Sequence, residues 1–224
     1  MEGSDSMERL AAGQWQWPLN LDKGAVFDFA CSSCGSCCRG EMTIHLNLAD
    51  LQRMAGYLEY STTARLFEDG VVEELKREIG FRPAIRFRQM PEKFCPFLEN
   101  VLDDKSWTLS GRCKLHPHLK PLVCKLAPLG RELSFDENLR VSEQWLFTEP
   151  VRGCPGCRVG QRQLGAEWSQ SHAQELELEL SYFHIMEVLT REHAPMQEFR
   201  AFHRNLKVEQ SVAEYLDEWQ HRSG

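Results

Sequence analysis

The stretch Cys31-Ser-Ser-Cys34-Gly-Ser-Cys37-Cys38 places four thiols within eight residues, two of them adjacent. Core packing does not explain this run, because serine and glycine stand where a core would place large apolar side chains. A disulfide framework is a poor alternative, because bridges between such close neighbours are strained. A glycine-containing loop that gathers thiolates is what a thiophilic metal requires. We therefore interpret this stretch as part of a metal site around which the chain is organised.

The composition indicates a protein with its own hydrophobic core. The 224 residues are 42% hydrophobic and 26% charged, which is ordinary for a globular protein. The net charge of −7 argues against nucleic-acid binding, which normally requires a basic surface. No run approaches the roughly 18 apolar residues of a membrane span, and the polar, acidic start is unlike a secretory signal. We expect a cytoplasmic protein, in which thiols stay reduced.

The nine cysteines divide the chain into three parts. All nine lie between residues 31 and 157. We expect an N-terminal leader over 1–25, a cysteine-cluster metal-binding domain over 26–160 and a helical C-terminal extension over 161–224. The predicted fold class is α+β: a cysteine-rich body of short strands and helices, followed by the helical extension.

The periodicity of the sequence predicts individual elements. Asn47 is a plausible N-cap for a helix over 48–58, with Leu48, Leu51 and Met54 on one face. Alternation and turn residues predict strands over 42–46 and 84–88, a hairpin over 101–109 that delivers Cys113, and strands over 133–135 and 141–147. Further helices are predicted over 62–79, with a possible break at Gly70 and a stop at Gly80, and over 164–191, 196–206 and 208–219.

Zinc is one candidate for the metal. Zinc prefers four tetrahedral nitrogen or sulfur ligands, often supplied as two C-x₂₋₄-C pairs. Cys31/Cys34 and Cys154/Cys157 are two such pairs, the second in a Cys-Pro-Gly-Cys turn. One zinc site, however, uses only four thiols and leaves the Cys37-Cys38 doublet unexplained.

An iron–sulfur cluster is the other candidate. Cys31, Cys34 and Cys37 have the C-x₂-C-x₂-C spacing with which bacterial ferredoxins supply three ligands to a [4Fe–4S] cluster. A remote cysteine followed by proline belongs to the same pattern, and Cys95-Pro96 and Cys154-Pro155 have this form. We expect the adjacent Cys37 and Cys38 side chains to point in different directions, so that they serve two metals, or one metal and one structural role. The candidate ligands are Cys31, Cys34, Cys37, Cys38, Cys95, Cys113, Cys124, Cys154 and Cys157.

Several motifs resemble those of one family in the same order. They are Cys31-x-x-Cys34-Gly-x-Cys37-Cys38, Phe94-Cys95-Pro96-Phe97-Leu98, Cys113-Lys-Leu-His116 and Lys120-Pro121-Leu122-Val123-Cys124, followed by Gly153-Cys154-Pro155-Gly156. Together they resemble the YkgJ-type cysteine cluster family, whose CxxCxxCC domain is described as zinc- or iron-chelating. The resemblance covers about residues 26–160. Cys124-Lys-Leu-Ala-Pro128 departs from the usual Cys-Arg-x-Phe-Pro ending, and Cys157 is an addition to the pattern.

The resemblance extends to flagellin lysine N-methylases, whose related cysteine domain is associated with a [4Fe–4S] cluster in methyl transfer. This relation favours iron–sulfur and implies a cluster-dependent methyl-transfer enzyme as a further alternative. The residues themselves show no motif for S-adenosylmethionine, no Walker A loop and no serine elbow. Whether the protein is an enzyme therefore stays open at the level of sequence.

The sequence favours a metal-binding protein with one or two thiolate-ligated centres, and we expect a [4Fe–4S] cluster with a redox, sensing or substrate-activating role. The alternative is a structural zinc protein whose helical tail binds a protein partner. His116 and His118 beside Cys113 are either further ligands or ordinary loop residues. The Cys154-Pro-Gly-Cys157 turn is also compatible with a redox dithiol. The partner or small-molecule substrate is not identified by any motif.

Overall fold

The computed structural model describes residues 19–21, 26–32, 34–40, 42–89, 92–103, 107–158, 162–163 and 171–222. Within these ranges the chain is mixed α+β, as predicted, with short antiparallel strands and a helical C-terminal part. The strands are β1 (Leu19–Leu21), β2 (Val26–Phe27), β3 (Val72–Lys76), β4 (Phe81–Ile85), β5 (Arg88–Gln89), β6 (Lys93–Phe94), β7 (Leu98–Asp103), β8 (Thr108–Cys113), β9 (Leu129–Phe135), β10 (Val141–Phe147) and β11 (Arg162–Gln163). The helices are α1 (Leu48–Tyr57), α2 (Ala64–Glu68), α3 (Leu122–Leu126), α4 (Ala173–Arg191), α5 (Met196–Arg204) and α6 (Val212–Arg222), with 3₁₀ turns at Ser36–Cys38 and Pro155–Arg158.

The strands form small separate sheets. β9 and β10 make a hairpin around the predicted turn at 136–138, and β1 pairs with the other edge of β10. The pairs β3–β4, β5–β6, β7–β8 and β2–β11 are each two-stranded and antiparallel. Two-stranded ribbons are marginal alone, so they depend on packing against the helices.

Helix α1 begins where the sequence predicts. The Asn47 side chain accepts a hydrogen bond from the Asp50 amide at 2.9 Å, and Asp50 Oδ2 accepts one from the Asn47 amide at 3.1 Å. These two bonds form a reciprocal capping box, which satisfies two backbone donors at the helix start. Leu48, Leu51 and Met54 are fully buried, which confirms the predicted apolar face.

The predicted helix over 62–79 forms only in its first part, its possible break at Gly70 is confirmed, and the helix predicted beyond Gly70 is wrong. Helix α2 ends at Glu68, Gly70 adopts a left-handed φ of 69°, and the chain continues as strand β3. The antiparallel partner β4 overrides the local helix preference of this segment, because helix and strand propensities are weak compared with tertiary pairing. Gly80 ends no helix: it has φ 72° in the β3–β4 turn. The predicted strand over 42–46 reduces to one bridge, between His45 and Ala84.

The C-terminal helices share a core with α1. One buried cluster contains Leu51 of α1, Ile185 of α4, Phe202 of α5 and Leu216 of α6. Residues 164–170 of the predicted helix over 164–191 lie outside the described residues, as does most of the predicted leader. The predicted domain boundaries stay a prediction. None of the helices in the described ranges combines the length and apolarity needed to cross a membrane.

Candidate metal centre

The cysteine loop turns tightly at Gly35. Gly35 has φ 72°, a conformation that glycine adopts without the strain of a side chain. Its carbonyl accepts a hydrogen bond from the Cys38 amide at 3.0 Å, and the 3₁₀ turn Ser36–Cys38 follows directly. The glycine therefore makes the chain reversal that brings Cys37 and Cys38 beside the rest of the site.

Two neighbouring segments position this loop. The Cys95 amide donates to the Cys38 carbonyl at 2.8 Å, and the Gly40 amide donates to the Lys93 carbonyl at 2.8 Å. On the other side, a Cβ built on Gly35 would lie only 2.9 Å from Cα of Gly111, and a Cβ on Gly111 would clash with Cα of Gly35. The two backbones can approach this closely only because both residues are glycines.

The β7–β8 hairpin brings Cys95 and Cys113 to the same end. Leu98, the first residue of β7, is paired with Cys113, the last residue of β8. The Leu98 amide donates to the Cys95 carbonyl at 3.0 Å, which places Cys95 in a turn before the hairpin. The predicted hairpin and its delivery of Cys113 are confirmed, because antiparallel pairing returns the chain to its starting point.

Cys124 comes from the short helix α3. The Asp50 carboxylate accepts a hydrogen bond from the Leu122 amide at 2.8 Å and so caps the start of this helix. Asp50 also pairs with Arg53 at 2.5 Å and is fully buried. Burial raises the pKa of Asp50, and the Arg53 charge and two backbone donors oppose that rise.

The neighbouring thiols Cys37 and Cys38 shift each other's pKa. A hydrogen bond between the two thiols lowers the pKa of Cys37 and raises that of Cys38. The Lys120 ammonium also lowers the pKa of Cys37. Opposite charge and a donated hydrogen bond both favour the thiolate, which is the metal-binding form.

The cysteines around this pair affect one another's pKa through their charges. The pKa of Cys95 is raised to about 11, chiefly by burial, and the Cys113 and Cys37 charges contribute to this rise. Burial also raises the pKa of Cys124, and the charges of Cys95 and Cys37 raise it as well. Charge effects connect Cys37, Cys38, Cys95 and Cys124, and Cys113 acts on Cys95 from the adjoining end of β8. We call these five thiols the inner cluster.

The other four predicted ligands are exposed or pack against a different hydrophobic cluster. Cys31 and Cys34 are exposed, and the Cys34 thiol donates to Ser36 Oγ at 3.3 Å. When Cys34 ionises, the Ser36 hydroxyl becomes the donor and lowers the Cys34 pKa. Cys154 and Cys157 pack against a second hydrophobic cluster that includes Leu126 of α3. The Cys37 charge also acts on Cys34, so the packing separates only Cys154 and Cys157 from the inner cluster.

The residues of the inner cluster fit a thiophilic metal. Thiolates select zinc or iron–sulfur clusters, whereas calcium and magnesium require oxygen ligands. Over the described part of the chain, no three Cys, His, Asp or Glu side chains already lie at ligating separations. None of the described cysteines forms a disulfide. Metal binding requires these thiols in their deprotonated form and releases their protons.

Sequence reasoning missed two residues near the inner cluster. The sequence predicts Asn47 as the cap of α1 but does not single out Asp50, and nothing in the sequence indicates the bond from Leu122 to Asp50. Lys120 belongs to the Lys120-Pro121 motif, but its charge acts on Cys37 only through the fold. His116 and His118, the two candidate histidine ligands, are both exposed in the turn between Cys113 and α3.

The fold and the grouped thiols define an α+β protein with a cysteine-cluster metal site. Residues 30–155 match the model of the CxxCxxCC family, described as "Putative zinc- or iron-chelating domain". The chain belongs to this family, which confirms the resemblance stated above. The family description supports metal binding and leaves zinc and iron as alternatives. Comparison with curated proteins and with solved structures finds no match.

Proposed function

We propose that the inner cluster holds a [4Fe–4S] cluster and that the protein uses it for a redox, sensing or substrate-activating role. The observation that carries this proposal is the convergence of five thiols from four separate segments of the chain. Four ligands complete such a cluster. Cys95, Cys113 and Cys124 supply three, and one thiol of the Cys37–Cys38 pair supplies the fourth.

The surroundings of the inner cluster support an iron–sulfur centre. Its thiols are buried or half-buried, so a cluster would be partly shielded from water but close to the surface. Hydrogen bonds to the sulfurs and solvent exposure set the reduction potential of such centres. The unused thiol of the Cys37–Cys38 pair would donate one such hydrogen bond. The Lys120 ammonium would offset part of the negative charge of four thiolates.

A structural zinc ion in the inner cluster is the second candidate. It would use the same four thiolates and would stabilise the junction of the cysteine loop, the β7–β8 hairpin and α3. In that case the function would lie elsewhere, with the C-terminal helices as the partner-binding region. The shared core of these helices and α1 supports a rigid attachment of that region.

Anaerobic purification, an absorption spectrum and iron, sulfide and zinc analysis of one sample test the proposal. We expect a broad absorption band at about 400 nm that dithionite bleaches, with iron and sulfide in equal amounts. Zinc without sulfide would reject the iron–sulfur proposal and leave the structural alternative.

Two matched pairs of variants locate the centre. C113S and C124S should each lose most of the iron and sulfide, because each removes a ligand that has no neighbouring substitute. C37S and C38S should differ from each other, because only one thiol of this pair is a ligand. If C113S and C124S keep as much iron as the wild type, the [4Fe–4S] cluster lies outside the inner cluster.

A further inference from the structure

Arg82, in strand β4, has no carboxylate partner among the described residues. Its guanidinium lies 5.2 Å from the centre of the Phe183 ring, in α4. The carboxylates of the neighbouring strand β3 are engaged elsewhere: Glu73 lies 3.9 Å from Arg86, and Glu74 pairs with two arginines of α5. The N–H donors of Arg82 are therefore available to a ligand.

His45 lies on the same face of β4 as Arg82. His45 pairs with Ala84 in an antiparallel bridge, and Ala84 is two residues from Arg82 along the strand. Side chains two residues apart share one face of a strand, as do the side chains of paired residues. Nδ1 of His45 is buried and has no hydrogen-bond partner in the described part of the chain. An unpaired buried nitrogen is costly, so this position favours a group that bonds to it.

Two arginine charges act on this histidine. The pKa of His45 is lowered chiefly by burial, and the charges of Arg82 and Arg77 contribute to the shift. Arg77 lies in the β3–β4 turn, and burial and the Arg77 charge both lower the pKa of Arg82. In the neutral ring with its proton on Nδ1, that nitrogen is a donor, as are the guanidinium groups. The three side chains therefore present donors and positive potential, which an anion would satisfy and offset.

Arg82 and Phe183 also line a cleft of about 600 Å³, a size that suits a small molecule. The other lining residues belong to the β9–β10 hairpin and include Leu133 and Glu132. Arg131, the second arginine of the lining, is bound by two carboxylates at 2.9 Å each, so its charge is offset. Among the described lining residues, Arg82 is thus the cation without a carboxylate partner.

We propose that this cleft binds a small organic anion, either a carboxylate or a phosphate ester, that carries a planar or apolar group. The Arg82 guanidinium, whose fork matches both kinds of anion, and His45 Nδ1 would donate to the anionic oxygens. The planar or apolar part would lie against Phe183 and Leu133. Glu132 would repel a second negative charge on the hairpin side, so the ligand carries its negative charge at one end. The site involves none of the cysteines and does not rest on the proposed function.

Isothermal titration calorimetry of the protein as purified tests the proposal. The probes are benzoate and phenyl phosphate, and phenol and inorganic phosphate are the controls. We expect a single binding site for at least one of the two organic anions, and at least about tenfold weaker binding of phenol and inorganic phosphate. The tighter of the two probes tells a carboxylate ligand from a phosphate ester.

We expect R82Q to weaken this binding at least about tenfold, because glutamine lacks the charge and the forked donors of arginine. The matched control is R222Q. Arg222 is also exposed and lies 5.3 Å from the centre of the Trp219 ring, but it does not line the cleft. R222Q should therefore bind the probes like the wild type, and both variants should keep the metal content of the wild type.

The anion site would be overturned if the wild type binds neither organic anion, or if R82Q binds them as tightly as the wild type. Phenol or inorganic phosphate that binds as tightly as the better organic probe would overturn it as well. If R82Q does not fold, phenylglyoxal modification of the wild type gives the answer by mass spectrometry. The better probe should protect Arg82 from modification and leave Arg222 reactive, and equal modification of both arginines would reject the proposal.

Discussion

The carboxylate of Asp50 in α1 accepts a hydrogen bond from the backbone amide of Leu122 at 2.8 Å, 72 residues away in the sequence. The bond caps the helix that carries Cys124. Asp50 is thus a positioning residue for the inner cluster, because it acts on a candidate ligand through the backbone of α3.

Replacement of Asp50 by asparagine should destabilise the protein. Both Asp50 oxygens accept hydrogen bonds, one of them from the Asn47 amide, and an asparagine side chain has only one oxygen. We expect D50N to lower the free energy of unfolding by about 1–3 kcal/mol, the cost of an unsatisfied buried donor. Urea unfolding measures this change. D69N, which removes a partly exposed partner of Arg65, should change it by less than about 1 kcal/mol.

Introduction of a methyl group at Gly111 should separate the cysteine loop from the β7–β8 hairpin. The new Cβ would clash with Cα of Gly35, so one backbone must move. We expect G111A to reduce bound metal several-fold, as measured by elemental analysis of the purified protein.

The matched control is G130A, in strand β9. A Cβ there would be no closer than 3.9 Å to its neighbours, which is an ordinary contact. G130A should therefore bind metal like the wild type. Full metal content in G111A would show that the glycine–glycine approach is not needed to form the site.

The pair Glu175–Lys125 should couple the C-terminal helices to α3. Glu175 Oε1 lies 2.6 Å from Lys125 Nζ and 2.8 Å from Arg53, and it is largely buried. We expect E175Q to lower the free energy of unfolding by about 1–2 kcal/mol and to increase hydrogen exchange at the amides of α3. E187Q breaks a more exposed pair with Arg191 within α4, so exchange in α3 should not change. Equal exchange in both variants would exclude the coupling.

The buried His203 should make stability depend on pH. Tyr182 lies 3.0 Å from Nε2, and the Phe199 carbonyl lies 2.7 Å from Nδ1. The carbonyl can only accept, so Nδ1 carries the proton of the neutral ring and Nε2 accepts from Tyr182. Burial lowers the pKa of His203 to about 4, and the charges of Glu74 and Arg204 act in opposite directions on it.

Because the folded pKa lies below the ordinary value of about 6.5, the unfolded chain binds the proton more tightly. The stability present above about pH 6.5 should therefore fall as the pH drops to about 4, by roughly 3 kcal/mol. H203Q should be less stable at pH 7 but should lack this part of the pH dependence. The difference between the two unfolding free energies should thus shrink on acidification, and a constant difference would contradict the assignment.

The sequence by itself determined the features that depend on local chemistry. Asn47 and Asp50 lie three residues apart, so their capping box follows from helix geometry alone. The polar turn after residue 102 lies between two apolar segments, so the hairpin that ends at Cys113 could be predicted. The family motifs are likewise local spacings, and they indicated a thiolate metal site without any coordinates.

Only the tertiary structure decided how the cysteines are grouped. The C-x₂-C-x₂-C spacing joins Cys31, Cys34 and Cys37, yet in the fold Cys37 lies with Cys95 and Cys124, whereas Cys31 lies beside the Cys154 turn. The segment after Gly70 became a strand for the same reason, because its partner β4 is supplied by the fold. Contacts between distant residues depend on the packing of whole elements, and their energies exceed the local preferences that a sequence displays.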